Sequence, residues 1–182
     1  MDIIKPVIRN FEKKCLNIPL LFKLYSIQYN HILNREIELG KLRKEDVILN
    51  IGCGAMPFTA IYLAKKTKAQ IIAIDIDEEA IANAKKCIKK LGLENQIKIC
   101  KGDGSEAKFD HFTAVVVALQ AEPKERVLDN LLNQAKNGTR FIFRGAREIF
   151  AHQYDELPKK YTPAKIAKQY MITFDKSVLY VK

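Results

Sequence analysis

The sequence is short of the residue types that build disulfide scaffolds, metal centres and membrane spans. Its 182 residues contain no tryptophan, three scattered histidines and four cysteines without C-x-x-C spacing. Lysines interrupt the N-terminal apolar stretch well below the run of about 18 residues that a membrane span requires, and no secretory signal pattern is evident. We therefore expect reduced, buried cysteines, no bound metal, no membrane contact and a cytoplasmic location.

Composition and charge are typical of a globular protein with a basic balance. Hydrophobic residues make up 48% of the sequence and charged residues 29%, which suits one domain with a buried core. The 31 lysines and arginines exceed the 21 acidic residues and give a formal net charge of +10. The lysines are spread over most predicted helices without interleaved aromatic residues, so nucleic acid stays open as a partner but is not favoured.

A glycine turn follows the first clear apolar strand. Residues 47–55 read VILNIGCGA and residues 71–75 read IIAID, so one strand runs into a turn and the next strand ends on a carboxylate. Gly52 and Gly54 leave room for a ligand against the backbone, and Asp75 lies 21 positions after Gly54. That offset is typical of an acid that binds ribose hydroxyls, so the segment predicts half of a nucleotide-binding α/β sheet.

The same turn argues against the commoner nucleotide cofactors. Dinucleotide sites favour a third glycine where this sequence has Pro57, a residue that suits the first turn of a helix. No P-loop lysine follows the turn, so hydrolysis of ATP or GTP is not expected. A cofactor without a pyrophosphate needs neither feature, and this favours S-adenosylmethionine, an adenosine that carries a sulfonium group.

Around the turn, hydrophobic periodicity predicts alternating helices and strands. Apolar patterns at helical spacing over residues 3–11 and 18–39 predict two helices before the sheet. Residues 1–44 are therefore expected to form a helical cap and residues 45–182 the cofactor-binding domain. Asp77 precedes the clearest later helix and is expected to cap it. The other predicted elements are helices over 57–66, 77–91 and 122–135, strands over 96–100, 112–119 and 141–143, and a closing hairpin of 170–174 with 178–181.

Taken together, these motifs resemble the class I S-adenosylmethionine-dependent methyltransferases over residues 45–182. The resemblance implies an α/β fold with a Rossmann-like, seven-stranded, mostly parallel sheet and helices on both faces. It also implies a terminal antiparallel hairpin and an N-terminal helical extension. The resemblance further implies that the turn of Gly52, Cys53, Gly54 and Ala55 lies against the methionine part and the ribose of the cofactor.

The family resemblance also implies roles for two acids. Asp75 is expected to bind the ribose hydroxyls, and Asp103, which follows the third strand, is expected to meet the adenine amine. The sequence departs from the family at Asn50, where an acid is usual, and at Met56, where many members have a further glycine. The remaining expected cofactor contacts are Ile76, Gly104, Leu119 and Gln120.

A narrower resemblance links the chain to the nicotianamine synthases. Gly-Cys-Gly-Ala-Met-Pro over residues 52–57 looks like their Gly-Ser-Gly-Pro-Leu-Pro turn, and Phe-Arg-Gly-Ala over residues 143–146 falls where those enzymes carry similar residues. Tyr29 and Glu36 match their upstream tyrosine and glutamate. This resemblance implies a subgroup of the fold rather than a particular activity.

Three residues are candidates for the catalytic, acceptor side of the site. Glu122 follows the fourth strand and is expected either as a general base or as a helix cap beside Pro123. Arg144 continues the fifth strand, where a guanidinium would bind a carboxylate or phosphate in bidentate fashion or lie in a solvated loop. Tyr29, on the second helix, either covers the cofactor and shapes the acceptor pocket or packs in the core.

The chemistry of a sulfonium leaves several functions open. It activates its adjacent carbons, so catalysis depends mainly on holding a nucleophile about 3 Å from one of them and excluding water. The leading hypothesis is a methyltransferase that acts on a small-molecule acceptor. An aminocarboxypropyl transfer of the nicotianamine-synthase type, which releases methylthioadenosine, uses the same cofactor motifs. The motifs also fit an RNA methyltransferase and a non-catalytic protein that binds the nucleoside.

Overall fold

The computed structural model describes residues 19–182, with side chains described from residue 29 onward. The helix expected over residues 3–11 therefore lies outside the described residues. The helix expected over residues 18–39 is confirmed as Pro19–Gly40. The division at residue 44 into a cap and a cofactor-binding domain stays a prediction.

Helices and strands alternate along the chain. The helices are α1 Pro19–Gly40, α2 Phe58–Thr67, α3 Glu78–Lys90 and α4 Lys124–Gln134, with a 3-10 turn at Glu148–Gln153. The strands are β1 Val47–Ile51, β2 Gln70–Asp75, β3 Ile97–Lys101, β4 Ala114–Val117, β5 Arg140–Ala146, β6 Lys165–Lys168 and β7 Phe174–Val181.

Within the described residues, the strands form one seven-stranded sheet in the order β3-β2-β1-β4-β5-β7-β6. The first five strands are parallel, whereas β7 is antiparallel to both of its neighbours. The chain leaves β1 towards β2 on one side and later returns to β4 on the other side. The carboxyl end of β1 therefore lies at the point where the strand order reverses, which is where open α/β sheets bind ligands.

The composition of β1 explains why helices cover both faces of the sheet. Ile48 packs in a core cluster with Leu33 of α1 and Leu63 of α2, whereas Leu49 packs in a second cluster with Leu128 of α4. Successive strand side chains point to opposite faces, so a continuous apolar run serves both cores. Full burial of each such side chain stabilises the fold by about 1.5–3 kcal/mol. The expected Rossmann-like architecture is thus confirmed.

The closing hairpin is present, but its first strand differs from the prediction. Lys165–Lys168 pairs with β7, and the segment expected as a strand, 170–174, instead forms most of the turn. The prediction was wrong because it counted Tyr170 and Ile172 as strand residues, and both side chains are exposed to solvent. The true strand, β6, is polar because it lies at the edge of the sheet.

A buried carboxylate ties the amino ends of three parallel strands together. Asp46, just before β1, accepts hydrogen bonds from Thr113 Oγ1 at 2.7 Å, from the Arg43 N–H at 2.8 Å and from the Arg140 guanidinium. Arg140 also donates to the carbonyl of Gly40 at the end of α1. Burial alone would raise the pKa of Asp46, but the hydrogen bonds from Thr113 and Arg140 lower it below its ordinary value of 3.8.

This cluster predicts a specific loss of stability in acid. A carboxyl group with a lowered pKa in the folded state stabilises the fold fully above its unfolded pKa, and the contribution disappears as the pH falls through the folded value. Asp46→Asn should lower the free energy of unfolding at neutral pH by about 1.5–3 kcal/mol, and its stability should depend less on pH between about pH 5 and about pH 1. Urea unfolding across this range measures both effects.

The control is Asp110→Asn, at an exposed carboxylate near the same end of the sheet. It should leave both the stability and its pH dependence unchanged. If Asp46→Asn showed the same acid dependence as the unaltered protein, the Asp46 cluster would not be the source of the effect.

Candidate cofactor and acceptor site

The glycine turn and the carboxylate at the end of β2 are in direct contact. The Gly54 N–H donates to Asp75 Oδ2 at 2.8 Å, and the Asp77 N–H donates to Asp75 Oδ1 at 3.1 Å. Gly52 has φ +75° and Gly54 has φ +68°, so both lie in the left-handed region. A Cβ atom at Gly52 would also approach the Ala118 Cβ to 3.2 Å. The backbone of the turn is therefore bare and held in place by Asp75.

The turn forms one wall of a cavity of about 370 Å³ at the carboxyl ends of the strands. Its position is the reversal point of the strand order described above. All but one of the residues expected in the site line this cavity: Tyr29, Gly52, Cys53, Gly54, Ala55, Asp75, Ile76, Asp103, Gly104, Gln120, Glu122 and Arg144. Their individual roles toward a cofactor or acceptor stay predictions.

Leu119 is the exception. Its side chain is buried in a separate cluster with Ile32, Tyr154 and Phe174, and the cavity is lined instead by its neighbours Ala118 and Gln120. The chain turns directly after β4, where the Ala121 N–H donates to the Ala118 carbonyl at 3.3 Å, and Leu119 within this turn packs away from the cavity. The expected contact of Leu119 with the cofactor stays a prediction.

Asp103 and Gly104 form the wall that follows β3. Asp103 Oδ1 accepts hydrogen bonds from the Ser105 N–H and hydroxyl, both at 2.8 Å, which fixes the carboxylate at the cavity edge. A Cβ atom at Gly104 would come within 2.6 Å of Ile51 Cγ2, so this position requires glycine for close approach. Asn130 Nδ2 of α4 donates to the Gly104 carbonyl at 2.9 Å and anchors the loop.

Several lining residues were absent from the sequence prediction. Phe58 and Thr59 open α2 directly after the glycine turn, and Ala80 and Val127 reach the cavity from α3 and α4. The turn signalled that a helix N-terminus follows, so Phe58 and Thr59 were within reach of sequence reasoning. Ala80 and Val127 looked like ordinary core positions, because only the packing of the helices shows which of them also face the cavity.

Arg144 is committed to a buried ion pair. Its Nε and Nη2 donate to the two carboxylate oxygens of Glu36, each at 2.9 Å, and Nη2 also donates to Thr59 Oγ1 at 3.1 Å. Glu36 is fully buried and Arg144 is 3% exposed. The guanidinium carbon Cζ also lies over the rings of Tyr29 and Phe174, 5.6 and 5.5 Å from their centroids. The expected role as a ligand for a substrate anion stays a prediction, and the structure gives Arg144 a different partner.

Glu122 is not the cap of α4. Pro123 occupies the N-cap position, and the N–H of Lys124 instead donates to Asp155 Oδ2 at 2.6 Å. The capping interpretation of Glu122 is therefore wrong, because a distant loop supplies the cap. Glu122 lies at the cavity wall, where its role as a base stays a prediction. Asp77 does cap α3, since its side chain accepts from the Glu79 and Ala80 N–H groups.

The charged side chains around the cavity are mostly acidic. Among the described lining residues there are four carboxylates, Asp75, Asp77, Asp103 and Glu122, and one cation, Arg144. Because Arg144 is paired with Glu36, the cavity has an excess of negative charge. Such a site attracts cations.

Metal clusters and membrane-spanning helices are absent from the described part of the chain. No group of three or more histidine, cysteine or acidic side chains in residues 19–182 is arranged to hold a metal ion. Over the same residues, no helix is both long enough and apolar enough to cross a membrane.

The sheet order is that of the Rossmann-like methyltransferase fold. Residues 42–176 match a family model described as a methyltransferase domain, so the chain belongs to the methyltransferase-domain family. The cofactor of this family is S-adenosylmethionine, which confirms the expectation from the glycine turn.

Two curated relatives are similar to the chain. L-histidine 2-aminobutanoyltransferase from Yersinia pestis is 27% identical over 135 residues, which cover 71% of this chain and 50% of that protein. A protein-lysine N-methyltransferase from Saccharolobus islandicus is 24% identical over 111 residues, which cover 61% of this chain and 69% of the relative. The chain thus spans about half the length of the first of these relatives.

Solved structures share the fold over most of the chain. MtNAS in complex with MTA and tNA has a TM-score of 0.81 at 22% identity and covers 95% of this chain, which in turn covers 69% of MtNAS. An RNA methyltransferase from Salinibacter ruber in complex with S-adenosyl-L-homocysteine has a TM-score of 0.69 at 20% identity, with 82% of this chain and 89% of that chain covered. The expected resemblance to class I methyltransferases and nicotianamine synthases is thereby confirmed.

The contact between Asp75 and the turn predicts a defect in cofactor binding. Asp75→Asn replaces one acceptor oxygen with an N–H donor, so it cannot accept from both Gly54 and Asp77 and has no charge to offer a ribose hydroxyl. Affinity for S-adenosylmethionine should fall by about 10- to 100-fold, the equivalent of losing a hydrogen bond to a charged group. Isothermal titration calorimetry measures the change.

Asp77→Asn is the matched control, because it removes a charge from the same cavity wall while asparagine still caps α3. Its affinity should fall by no more than about fivefold. Equal affinities in both variants would show that Asp75 has no special role.

The buried ion pair predicts that substitutions at Glu36 and Arg144, which are 108 positions apart in the sequence, have coupled effects on stability. Arg144→Met leaves the Glu36 charge buried without its partner, and should lower the free energy of unfolding by about 3–5 kcal/mol. The double variant with Glu36→Leu removes both charges and should be more stable than Arg144→Met alone. Urea unfolding of the two single variants and the double variant gives the coupling energy. Additive losses would contradict the pairing.

Proposed function

We propose that this chain transfers the aminocarboxypropyl group of S-adenosylmethionine to a nitrogen atom of a small-molecule acceptor. The observation that carries the proposal is the negative charge of the cavity, since four carboxylates line it and its one guanidinium is paired with Glu36. Both the sulfonium and a protonated amine are cations that such a cavity attracts. An anionic acceptor such as a phosphate chain would be repelled.

The size of the cavity supports a small acceptor. Its volume of about 370 Å³ lies near the lower end of the range of about 300–1,000 Å³ that is usual for ligand sites. The cofactor itself takes up much of that space. An acceptor beside it is therefore best chosen among small amines, of which an amino acid is the natural first candidate.

The choice of the aminocarboxypropyl group over the methyl group is supported by one relative. The Yersinia pestis protein is a 2-aminobutanoyltransferase that acts on L-histidine, and the group in its name has the carbon skeleton of the aminocarboxypropyl chain. Methyl transfer, the leading hypothesis from the sequence, is the second candidate. It is favoured by the family description and by the protein-lysine N-methyltransferase relative.

The proposed mechanism is mainly one of positioning. We assign to Glu122, at the cavity wall, the role of the base that takes a proton from the bound ammonium. The resulting neutral amine, held about 3–3.5 Å from the methylene carbon, attacks it, so a carbon–nitrogen bond forms while the carbon–sulfur bond breaks. The products are the thioether methylthioadenosine, which keeps the electron pair of the broken bond, and an alkylated ammonium. Tyr29, stacked on Phe58 with a centroid distance of 5.6 Å, would form the apolar wall on the acceptor side.

Analysis of the by-product separates the two candidate reactions. The protein is incubated with S-adenosylmethionine and single amines, beginning with L-histidine, and the nucleoside products are identified by mass spectrometry. Methylthioadenosine together with an acceptor that has gained the aminocarboxypropyl group is the expected result. S-adenosylhomocysteine with a methylated acceptor would contradict chain transfer and support methyl transfer.

Glu122→Gln provides the matched variant for this assay. It keeps the shape of the side chain but cannot accept the proton, so the turnover number should fall by about 100- to 10,000-fold while the affinity for S-adenosylmethionine falls by no more than about fivefold. Unchanged turnover would exclude Glu122 as the base.

A further inference from the structure

The end of the sheet opposite the cavity, where the parallel strands begin, has a row of lysines that play no part in the proposed function. These residues lie in the helix-to-strand connections and in the last turns of the helices. We call this end of the sheet the basic edge and define it by six exposed lysines: Lys41, Lys44, Lys66, Lys68, Lys90 and Lys136.

The sheet order places these lysines side by side. They come from the ends of α1, α2, α3 and α4, which lead into β1, β2, β3 and β5. From β3 to β5 the sheet has four strand spacings of about 4.8 Å, so the row is about 19 Å long. Lys41 and Lys136 also line a groove of about 500 Å³ together with Arg43 and Arg140.

The positive charge of the basic edge is not neutralised locally. Within residues 29–182, none of its six lysines forms an ion pair, whereas Lys101 and Lys159 on other surfaces do. Two acids on this edge are already engaged with arginines, Glu45 with Arg43 and Asp46 with Arg140. Three further carboxylates, Glu38, Glu94 and Asp110, remain against the six lysines.

Two of these lysines occupy backbone positions that favour glycine. Lys41 has φ +48° and Lys68 has φ +63°, the left-handed conformation that side chains with a Cβ atom rarely adopt. The corresponding turn after α3 does use glycine, with Gly92 at φ +63°. At two of these three helix ends, the chain therefore has a cationic side chain at a conformational cost.

Other features of the surface indicate which polyanion fits. The four most exposed large apolar side chains, Tyr170, Ile172, Ile76 and Ile149, lie in connections at the cavity end of the sheet, whereas only Leu91 and Val181 of the exposed apolar side chains in the described residues lie at the basic edge. A surface that inserts into lipid has more apolar side chains beside its lysines than these two. The row also follows the twist of the sheet, about 20–25° per strand, which a flexible single strand accommodates more easily than a stiff duplex.

We propose that the basic edge binds the phosphate backbone of single-stranded nucleic acid, remote from the cavity and independently of the proposed transferase activity. The lysines without ion pairs would contact the phosphates of the bound strand, and the bases would not be recognised. The acidic cavity would exclude the same strand. In this proposal, nucleic acid binds at the basic edge and is not the acceptor of the reaction.

The test compares two variants with the same loss of charge. The basic-edge variant combines Lys44→Gln, Lys68→Gln, Lys90→Gln and Lys136→Gln and so removes four of the six positive charges. The control combines Lys98→Gln, Lys101→Gln, Lys159→Gln and Lys168→Gln, all exposed elsewhere. Fluorescence anisotropy with a labelled oligouridylate of about 20 nucleotides, between about 50 and about 200 mM salt, gives the dependence of log affinity on log salt. Calorimetry with S-adenosylmethionine verifies that the cavity is intact in both variants.

The basic-edge variant should lower the salt slope by about 3 and the control by less than about 1, because each single-stranded phosphate contact contributes about 0.7. Cofactor affinity should stay unchanged in both. Equal losses in the two variants would mean that net charge, not this edge, attracts the strand, and would overturn the proposal. So would a lack of oligouridylate binding by the unaltered protein, or binding to phosphatidylserine vesicles but not to the oligonucleotide.

A second variant separates a lost contact from a lost fold. Lys41→Gly with Lys68→Gly relieves two left-handed side chains, so its melting temperature should rise while its salt slope falls by about 1.4. A more stable protein with an unchanged slope would contradict the proposed role of these lysines.

Discussion

The carboxylate of Asp75 joins the ends of two neighbouring strands, and the cavity depends on this contact. It accepts one N–H from the glycine turn after β1 and one from the start of α3. The N–H groups of Gly52 and Cys53 also donate to the Ile74 carbonyl of β2, at 2.9 and 3.0 Å, so backbone and side-chain contacts together hold the turn. With Asp75 in place, the bare backbone of the turn and the carboxylate face the same space. We expect a ligand with ribose hydroxyls to meet both at once.

The direction of the parallel strands also separates the charges of the molecule. Strand-to-helix connections lie at the carboxyl ends of the parallel strands, around the cavity. Acidic side chains there interact favourably with the helix N-termini, as Asp77 does when it caps α3. Helix-to-strand connections lie at the opposite edge, where lysines suit the helix C-termini. Helix electrostatics accounts for some of this arrangement but not for Lys41 and Lys68, whose backbone would be more relaxed with glycine.

Sequence reasoning succeeded where one local signal was sufficient. The parallel strands, the glycine turn and the spacing to Asp75 can all be read within a few residues or one βαβ unit. It failed where partners are distant in sequence. Glu36 and Arg144 are 108 positions apart, and Asp155 caps a helix that begins 31 positions earlier. Tyr170 and Ile172 misplaced the hairpin because hydrophobicity does not show whether a side chain is buried.

The central claim is that Asp75 and the turn recognise the ribose of an adenosyl cofactor. It is tested most directly by calorimetric titration of the unaltered protein with S-adenosylhomocysteine and with its analogue that lacks both ribose hydroxyls. The structure predicts that the analogue binds about 10- to 100-fold more weakly, because the carboxylate loses its hydrogen-bond donors. Equal affinity for the two compounds would contradict the account.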